Sequence, residues 1–408
     1  MVNRCGYLTY GIESYFFNLC ELLRQKGHSV VVFTTQDERN LDQQYSDYFV
    51  EKINNEDTRS IPLHKKISYI PKTIYSWEAQ RKIKRLILDV KPDIAHIHGI
   101  NRLISPSILP VIKKFNIPIV YALYDSRLVC PNYRLFVKGQ ICQACKGRRF
   151  YNAVINKCVR GSLSLSLLAC VEYYIHNMFN MFSGYVDTFV VPSLFLKQKM
   201  VEFGFDPSKF ICIPHFNFLG KNNPEHKFSD YIVYFGRLVE EKGLFTLLMA
   251  MKQIPEVKLL LIGDGIYKKN LQRLAKQEKI TNLEFLGYMP KDDIKEIIEN
   301  ALGVVVPSLW YDASPMVIYE SFSMGKAVVG SAVGGIPELI DDNLNGLLFK
   351  AGDVDELAKK IKYLFHNQDK IRQWEKNARA KAASVYCPDA HYEKILNLYQ
   401  NLIKRKKC

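Results

Sequence analysis

The chain lacks the features that would make it a membrane-spanning or fibrous protein. No run of about 18 uncharged apolar residues occurs in its 408 residues, so no membrane span is expected. The opening stretch, MVNRCGYLTYGIESY, has no apolar core of the secretory kind, so no leader is expected either. Low-complexity tracts and repeats of fixed period are missing, and 22 Gly and 17 Pro are ordinary numbers, which argues against disorder or a fibre. Acids are the scarcer charge: 41 Asp and Glu stand against 56 Lys and Arg, a formal net charge of +15. That balance calls for an acidic partner, whether nucleic acid, anionic lipid or a phosphorylated small molecule. No nucleic-acid-binding module accompanies the charge, so no nucleic-acid partner is expected. Cysteine is not scarce, and ten of them without a leader fit a reducing cytoplasm better than a disulfide scaffold.

A chain of this length exceeds what one hydrophobic core serves, and two domains are expected. Both halves alternate strand and helix. In the first, GIESYFFNLCELLRQK reads as an amphipathic helix, and HSVVVFTT, DIAHIHG, IPIVYAL, TFVV and FICIPHF read as buried strands with helices between. The polar stretch GKNNPEHKFSD reads as a linker, after which DYIVYFG, VKLLLIG, LEFLGY, LGVVVPS, KAVVGS and GLLF alternate with helices. Near-continuous β-branched runs suit parallel sheets covered on both faces. The expected fold is therefore α/β, two doubly wound Rossmann-like domains facing across a cleft: residues 1–216, with a cysteine-containing insert at 126–160, and 217–390. A helix over 391–408 is expected to pack back toward the first domain. Ligands in such folds bind at the carboxyl ends of the strands.

The informative residues do fall on strand-end loops. WYDASPMVIYESF places Asp312 in a loop and Glu320 eight residues later inside a helix. Ser314 is positioned to cap that helix and Pro315 to begin it, leaving the N–H groups of Met316 and Val317 to meet an anion. The two acids are spaced to bracket a sugar-linked diphosphate rather than to hold a metal; a capped helix with incidental acids is the alternative. GRLVEEKG sets Arg237 and Lys242 at another strand-to-helix turn, a fork and a point charge suited to two phosphates. Gly334 and Gly335 in VGGIPELI, and Gly263 and Gly265 in LLLIGDG, let backbone approach a ligand closely. Asp353 of GDVDELAKKI reads as a helix N-cap, not a metal ligand.

In order and spacing, GRLVEEKG, LLLIGDG, LEFLGY, SPMVIYESFSMG and VGGIPELI resemble the family-4 (group 1) retaining glycosyltransferases of the GT-B fold, and the likeness extends over nearly the whole chain. The resemblance implies a hexosyltransferase-type reaction from a UDP- or GDP-sugar, with retention at the anomeric carbon and no metal required for catalysis. It implies that Arg237 and Lys242 hold the diphosphate, Glu320 the donor ribose, and Asp312 with the backbone of Ser314 to Val317 the transferred sugar. Gly236, Gly263, Gly265, Tyr288, Pro315, Gly334 and Gly335 complete the donor side, Gly11 and Asp125 lie on the acceptor side, and His98 of HIHG is a candidate catalytic residue, a structural strand-end histidine being the alternative. The leaving phosphate in this family assists the incoming hydroxyl, so no side-chain base is demanded. Three positions depart from the family pattern: Asp312 replaces Glu, Tyr10-Gly11 replaces Gly-Gly, and Tyr124-Asp125 replaces His-Asp. The expected acceptor is a glycan or polyprenyl-linked hydroxyl in surface polysaccharide synthesis, lipopolysaccharide or capsule. The alternative suggested by the departures is a non-catalytic nucleotide-sugar-binding partner subunit.

Two further stretches carry expectations. Cys130, Cys142, Cys145 and Cys158 have spacings that can close a tetrahedral thiolate site, so a structural zinc and free thiols are both open. Lys138 to Arg160 holds six bases and no acid, and SLSLSLLACVEYYIHNMFNMF follows it. Together they suit an anionic membrane surface, and hence a peripheral place on the inner face of the cytoplasmic membrane, or else core helices beside solvated lysines.

Overall fold

The computed structural model describes residues 1–9, 11–52, 73–100, 104–220 and 229–407. Tyr10 and most of the expected linker lie outside them. In the first half the elements run β1 (Val2–Asn3), α1 (Gly11–Gln25), α2 (Trp77–Val90), β2 (Ala95–Gly99), α3 (Ile108–Lys114), β3 (Ile119–Ala122), β4 (Phe136–Val137), β5 (Gln140–Ile141), α4 (Asn152–Ile155), α5 (Leu163–Met178), β6 (Thr188–Val191), α6 (Leu194–Glu202) and β7 (Phe210–Cys212). Strands β1-β2-β3-β6-β7 form one parallel sheet in that order, and β4 and β5 are a small hairpin within the insert.

The second half runs β8 (Tyr231–Phe235), α7 (Leu244–Lys252), β9 (Lys258–Ile262), α8 (Lys268–Gln277), β10 (Leu283–Gly287), α9 (Lys291–Asn300), β11 (Val304–Val306), α10 (Met316–Ser323), β12 (Val328–Ser331), α11 (Ile336–Leu339), β13 (Gly346–Phe349), α12 (Val354–His366), α13 (Gln368–Ser384) and α14 (Pro388–Lys407). Its strands are parallel in the order β10-β9-β8-β11-β12-β13. This order reverses direction between β8 and β11, so the loops leaving these two strands diverge and open a crevice at their carboxyl ends. Apolar residues on both faces of the sheet explain its burial: Ile232, Leu259, Leu261 and Val305 face one core, while Val233, Leu260, Val304 and Val328 face the other.

One expected strand forms only in part. Residues 28–35 make isolated bridges, Phe33 to Val2 and Thr35 to Val50, in place of a ladder. The adjacent β1 is two residues long and offers too few backbone groups to sustain one. Asp353 does cap α12, accepting from the Glu356 N–H at 2.9 Å.

The last helix joins the two halves. Ile395, Leu398, Tyr399 and Leu402 recur at helical spacing and pack with Tyr15, Leu19, Val120 and Phe216 of the first half. Polar rings are buried in this seam: Tyr15 Oη pairs with His391 Nε2 at 3.0 Å, and His96 Nδ1 with Tyr399 Oη at 2.6 Å. Burial pushes His96, His215 and His391 down to about 3, so all three are neutral in the fold. The unfolded chain takes up protons on these rings below about 6.5, whereas the folded chain does so only near 3. Their stabilising contribution is therefore full above about pH 6.5 and lost as pH falls toward 3, at about 1.4 kcal/mol per pH unit for each ring. Urea unfolding should show midpoints that drop steeply from about pH 7 to about pH 4.5, and His391→Gln should flatten the slope; an unchanged slope in that variant would refute the assignment.

Candidate active site

The crevice is built from strand-end loops bonded each to the next. Gly263 N donates to Gly287 O at 2.7 Å, Leu238 N to Asp264 O at 2.9 Å, Leu309 N to Glu241 O at 2.9 Å and Gly335 N to Asp312 O at 2.8 Å. The loops after β10, β9, β8, β11 and β12 thus form one continuous ledge. Arg237 and Lys242 lie on the β8 loop and Asp312 on the β11 loop, so the three stand on either side of the switch point.

At its centre is an ion pair. Lys242 Nζ lies 2.5 Å from Asp312 Oδ2, and Ser308 Oγ donates to the same oxygen at 3.3 Å. Asp312 is buried, and Lys242 also sits over the Trp310 ring at 5.7 Å. The acid read from the sequence as facing the cleft is therefore engaged by the lysine read as a phosphate ligand. Arg237 is half-buried, and its carbonyl accepts from Tyr234 Oη at 2.8 Å. Burial pushes the Tyr234 phenol up, and the nearby Arg237 guanidinium opposes that shift.

Helix α10 begins differently from expectation. Pro315 occupies the cap position in extended conformation and helical geometry starts at Met316, with no side-chain cap. Ser314 does not cap, because its hydroxyl pairs with Tyr319 Oη at 2.7 Å. No side chain at the cap position accepts from the first N–H groups of the helix, Met316 and Val317 among them. Glu320 is half-buried one turn inside.

The expected glycines have reasons within the chain itself. A Cβ on Gly334, which has φ +65°, would lie 2.3 Å from Asp312 O, and one on Gly335 would lie 2.0 Å from Ala313 O. At Gly263, φ +135°, a Cβ would lie 1.9 Å from Gly236 O, and at Gly265 2.3 Å from Leu238 O. These residues let loop pack on loop, where the sequence suggested room for a ligand. Tyr288 is 77 % exposed on the β10 loop.

On the facing domain, Gly11 begins α1 directly opposite α10, and a Cβ there would come 3.0 Å from Met316 Cβ. Asp125 forms a two-point pair with Arg127, at 2.7 Å and 2.5 Å. His98 is buried at the end of β2; its Nδ1 pairs with Tyr124 Oη, its ring packs edge-on against Phe16, and burial holds it well below its usual pKa. His98 belongs to the buried aromatic seam and does not lie open on the cleft wall. The Tyr124 departure thus supplies its hydrogen-bond partner.

Contacts between the domains were not legible in the sequence. Glu338 accepts from Leu194 N and Phe195 N at 2.8 Å and 2.6 Å, capping α6 from the opposite domain. Arg134 of the insert pairs with buried Glu241 at 3.2 Å. The four insert cysteines line one small cavity as free thiols, and Cys130 Sγ donates to Asn132 Oδ1 at 2.9 Å. Burial pushes Cys130 and Cys145 up to about 12. Among the described residues no group of three or more His, Cys, Asp or Glu is placed to hold a metal ion. The four thiols share that cavity closely enough that negative charge on Cys142 or Cys158 would raise Cys130 and Cys145 further.

Comparison with known proteins bears on this site. The family model described as Glycosyltransferase Family 4 matches residues 9–216, and that described as Glycosyl transferases group 1 matches 218–381. An uncharacterized 42.6 kDa protein of the cps region of Klebsiella pneumoniae is 25 % identical over 79 % of this chain and 81 % of its own. The lipopolysaccharide core biosynthesis glycosyltransferase LpsE of Rhizobium meliloti is 33 % identical over 33 % of this chain and 38 % of its own. Other leading curated relatives are likewise matched over less than half of their lengths. The crystal structure of Anabaena Alr3699/HepE in complex with UDP has the same fold, with a TM-score of 0.64 at 17 % identity over 98 % of each chain.

A double-mutant cycle tests the central pair. Lys242→Met and Asp312→Asn should each lower stability, the lysine change by about 3 kcal/mol because it strands a buried carboxylate. The double variant should lose less than the sum, and additive losses in urea unfolding would contradict the pairing.

Proposed function

The chain belongs to the family-4 (group 1) glycosyltransferases, and from that premise we propose that it moves a sugar from a nucleotide-diphosphate sugar to a hydroxyl of a glycan or polyprenyl-linked acceptor, with retention and without a catalytic metal. The observation that carries the reading is the ledge of bonded strand-end loops at the switch point, which carries Arg237 and Lys242 on the β8 loop and leads into the start of α10 after the β11 loop.

The chemistry follows from charge. Breaking the glycosidic bond leaves negative charge on the departing phosphate, and donors fixed at that place stabilise the transition state more than the ground state. A bound diphosphate competes with Asp312 for the Lys242 ammonium. Its arrival would free the carboxylate for a hydroxyl of the transferred sugar, while Glu320, one turn inside α10, takes the ribose. The Met316 and Val317 N–H groups receive the phosphate at the helix start. His98, neutral and buried, acts as a support for the acceptor wall and not as a base.

A nucleotide diphosphate donor is supported by the UDP bound to the Anabaena protein of the same fold. A role in surface polysaccharide synthesis is supported by relatives named for a cps region and for lipopolysaccharide core biosynthesis.

Purified protein supplied with UDP- and GDP-sugars should release nucleotide only when a polyprenyl-diphosphate sugar is present, undiminished by EDTA. The product linkage should keep the donor's anomeric configuration by NMR. Arg237→Ala should lower kcat/KM by about 10²-fold or more in a variant whose circular dichroism still matches the parent. Saturable donor binding without turnover across the acceptor panel would instead identify a binding subunit.

A further inference from the structure

Helix α5 presents an apolar stripe to solvent. Leu163, Leu167, Val171, Tyr174 and Met178 recur every three or four residues and are 57 %, 53 %, 41 %, 42 % and 69 % exposed. Its buried face is mixed, with Ser166, Glu172 and His176 inward beside Ala169, Cys170 and Tyr173, the last two packed in a small cluster with Cys145 and Phe150 of the insert. Solvent-facing helix faces are normally polar.

The helix cannot relieve this exposure by rotating, because its inward groups are bonded. Ser166 Oγ accepts from Val159 N at 3.0 Å, Tyr173 Oη donates to Cys130 O at 2.9 Å, and His176 Nε2 meets Ile74 O at 3.0 Å. Glu172 is the one charged residue of α5 and it is buried, so the outer stripe carries no charge. Ile155 of α4, 69 % exposed, extends the apolar surface toward the insert.

The rim of this stripe carries charge of one sign. Lys138, Lys146, Arg148, Arg149, Lys157 and Arg160 are all exposed, and no acid occurs between residues 138 and 160. None of the six is paired with an acid among the described residues. An uncharged apolar stripe beside a cationic rim matches the layering of an anionic bilayer, acyl chains beneath phosphate headgroups. A second copy of this chain would bring two such rims together and is disfavoured by like charge.

We infer that the outer face of α5, with the basic insert, is a docking surface for an anionic phospholipid bilayer, bound in the plane of the interface and not across it. No helix among the described residues is long and apolar enough to cross a membrane, in keeping with this mode. The same insert leans on the second domain through Arg134 to Glu241 and Gln143 to Tyr311, 3.5 Å apart, so the docked bilayer lies beside the cleft. This inference does not depend on the transfer reaction, because lipid binding is measured without turnover.

The test is co-sedimentation of the full chain with phosphatidylglycerol–phosphatidylcholine vesicles and with phosphatidylcholine alone, alongside sedimentation velocity without lipid. Binding is expected only to the anionic vesicles and should weaken with salt. Leu167→Glu with Val171→Glu should reduce it about tenfold or more, and so should Arg148→Glu with Arg149→Glu. All four positions are exposed, so melting temperatures should match the parent. Absence of binding to anionic vesicles, or undiminished binding in both variant pairs, overturns the inference. So does a lipid-free dimer that dissociates in the Leu167 and Val171 variant, which would make the face a contact between copies.

Discussion

The pair between Lys242 and Asp312 is the constraint on which the crevice depends. In a doubly wound sheet the loops after β8 and β11 diverge, because their crossover helices lie on opposite faces. Here a lysine from one loop and an acid from the other close that gap at 2.5 Å. The Glu241 carbonyl, bonded to Leu309 N, and the Asp312 carbonyl, bonded to Gly335 N, extend the link to either side. Two buried opposite charges stabilise each other only while both remain, so the pair also makes the site responsive. A polyanion can replace the carboxylate at the ammonium, and water does so poorly.

The second organising feature is the seam between the domains. It is aromatic and histidine-rich, held by Tyr15, Tyr124, Tyr399, His98, His215 and His391, with rings in edge or tilted contact such as Tyr15 to His215 at 4.4 Å. Buried imidazoles stay neutral there, so they serve as hydrogen-bonding and packing groups. Helix α14 spans this seam, and Glu338 caps α6 from across it. The orientation of the two halves thus rests on particular polar contacts as well as apolar area. Such an interface can hold one arrangement firmly without the large apolar area of an obligate one.

The insert links site and surface. It contributes Arg134 to the pair with buried Glu241 on one side and the cationic rim on the other. Its cysteines pack as small, mostly half-buried or buried groups around a narrow cavity, with Tyr173 of α5 bonded to the Cys130 carbonyl beneath them.

Much of this was legible in the sequence because it is local. Buried parallel strands announce themselves as short β-branched runs such as VKLLLIG and LGVVVPS, and the order of GRLVEEKG, LLLIGDG, SPMVIYESF and VGGIPELI carries the family. The cap at Asp353 follows from the residues beside it. What the sequence could not reveal depends on residues far apart in the chain. Asp312 meets Lys242 from 70 positions away, Arg134 meets Glu241 from 107, and His98 is sealed by Tyr124 rather than open to the cleft. The glycine pairs have the right spacing for a ligand, yet neighbouring loop backbone packs against them. Periodicity also shows that α5 is apolar without showing which face is buried. Burial is a property of what packs against a residue, and only the folded chain decides that.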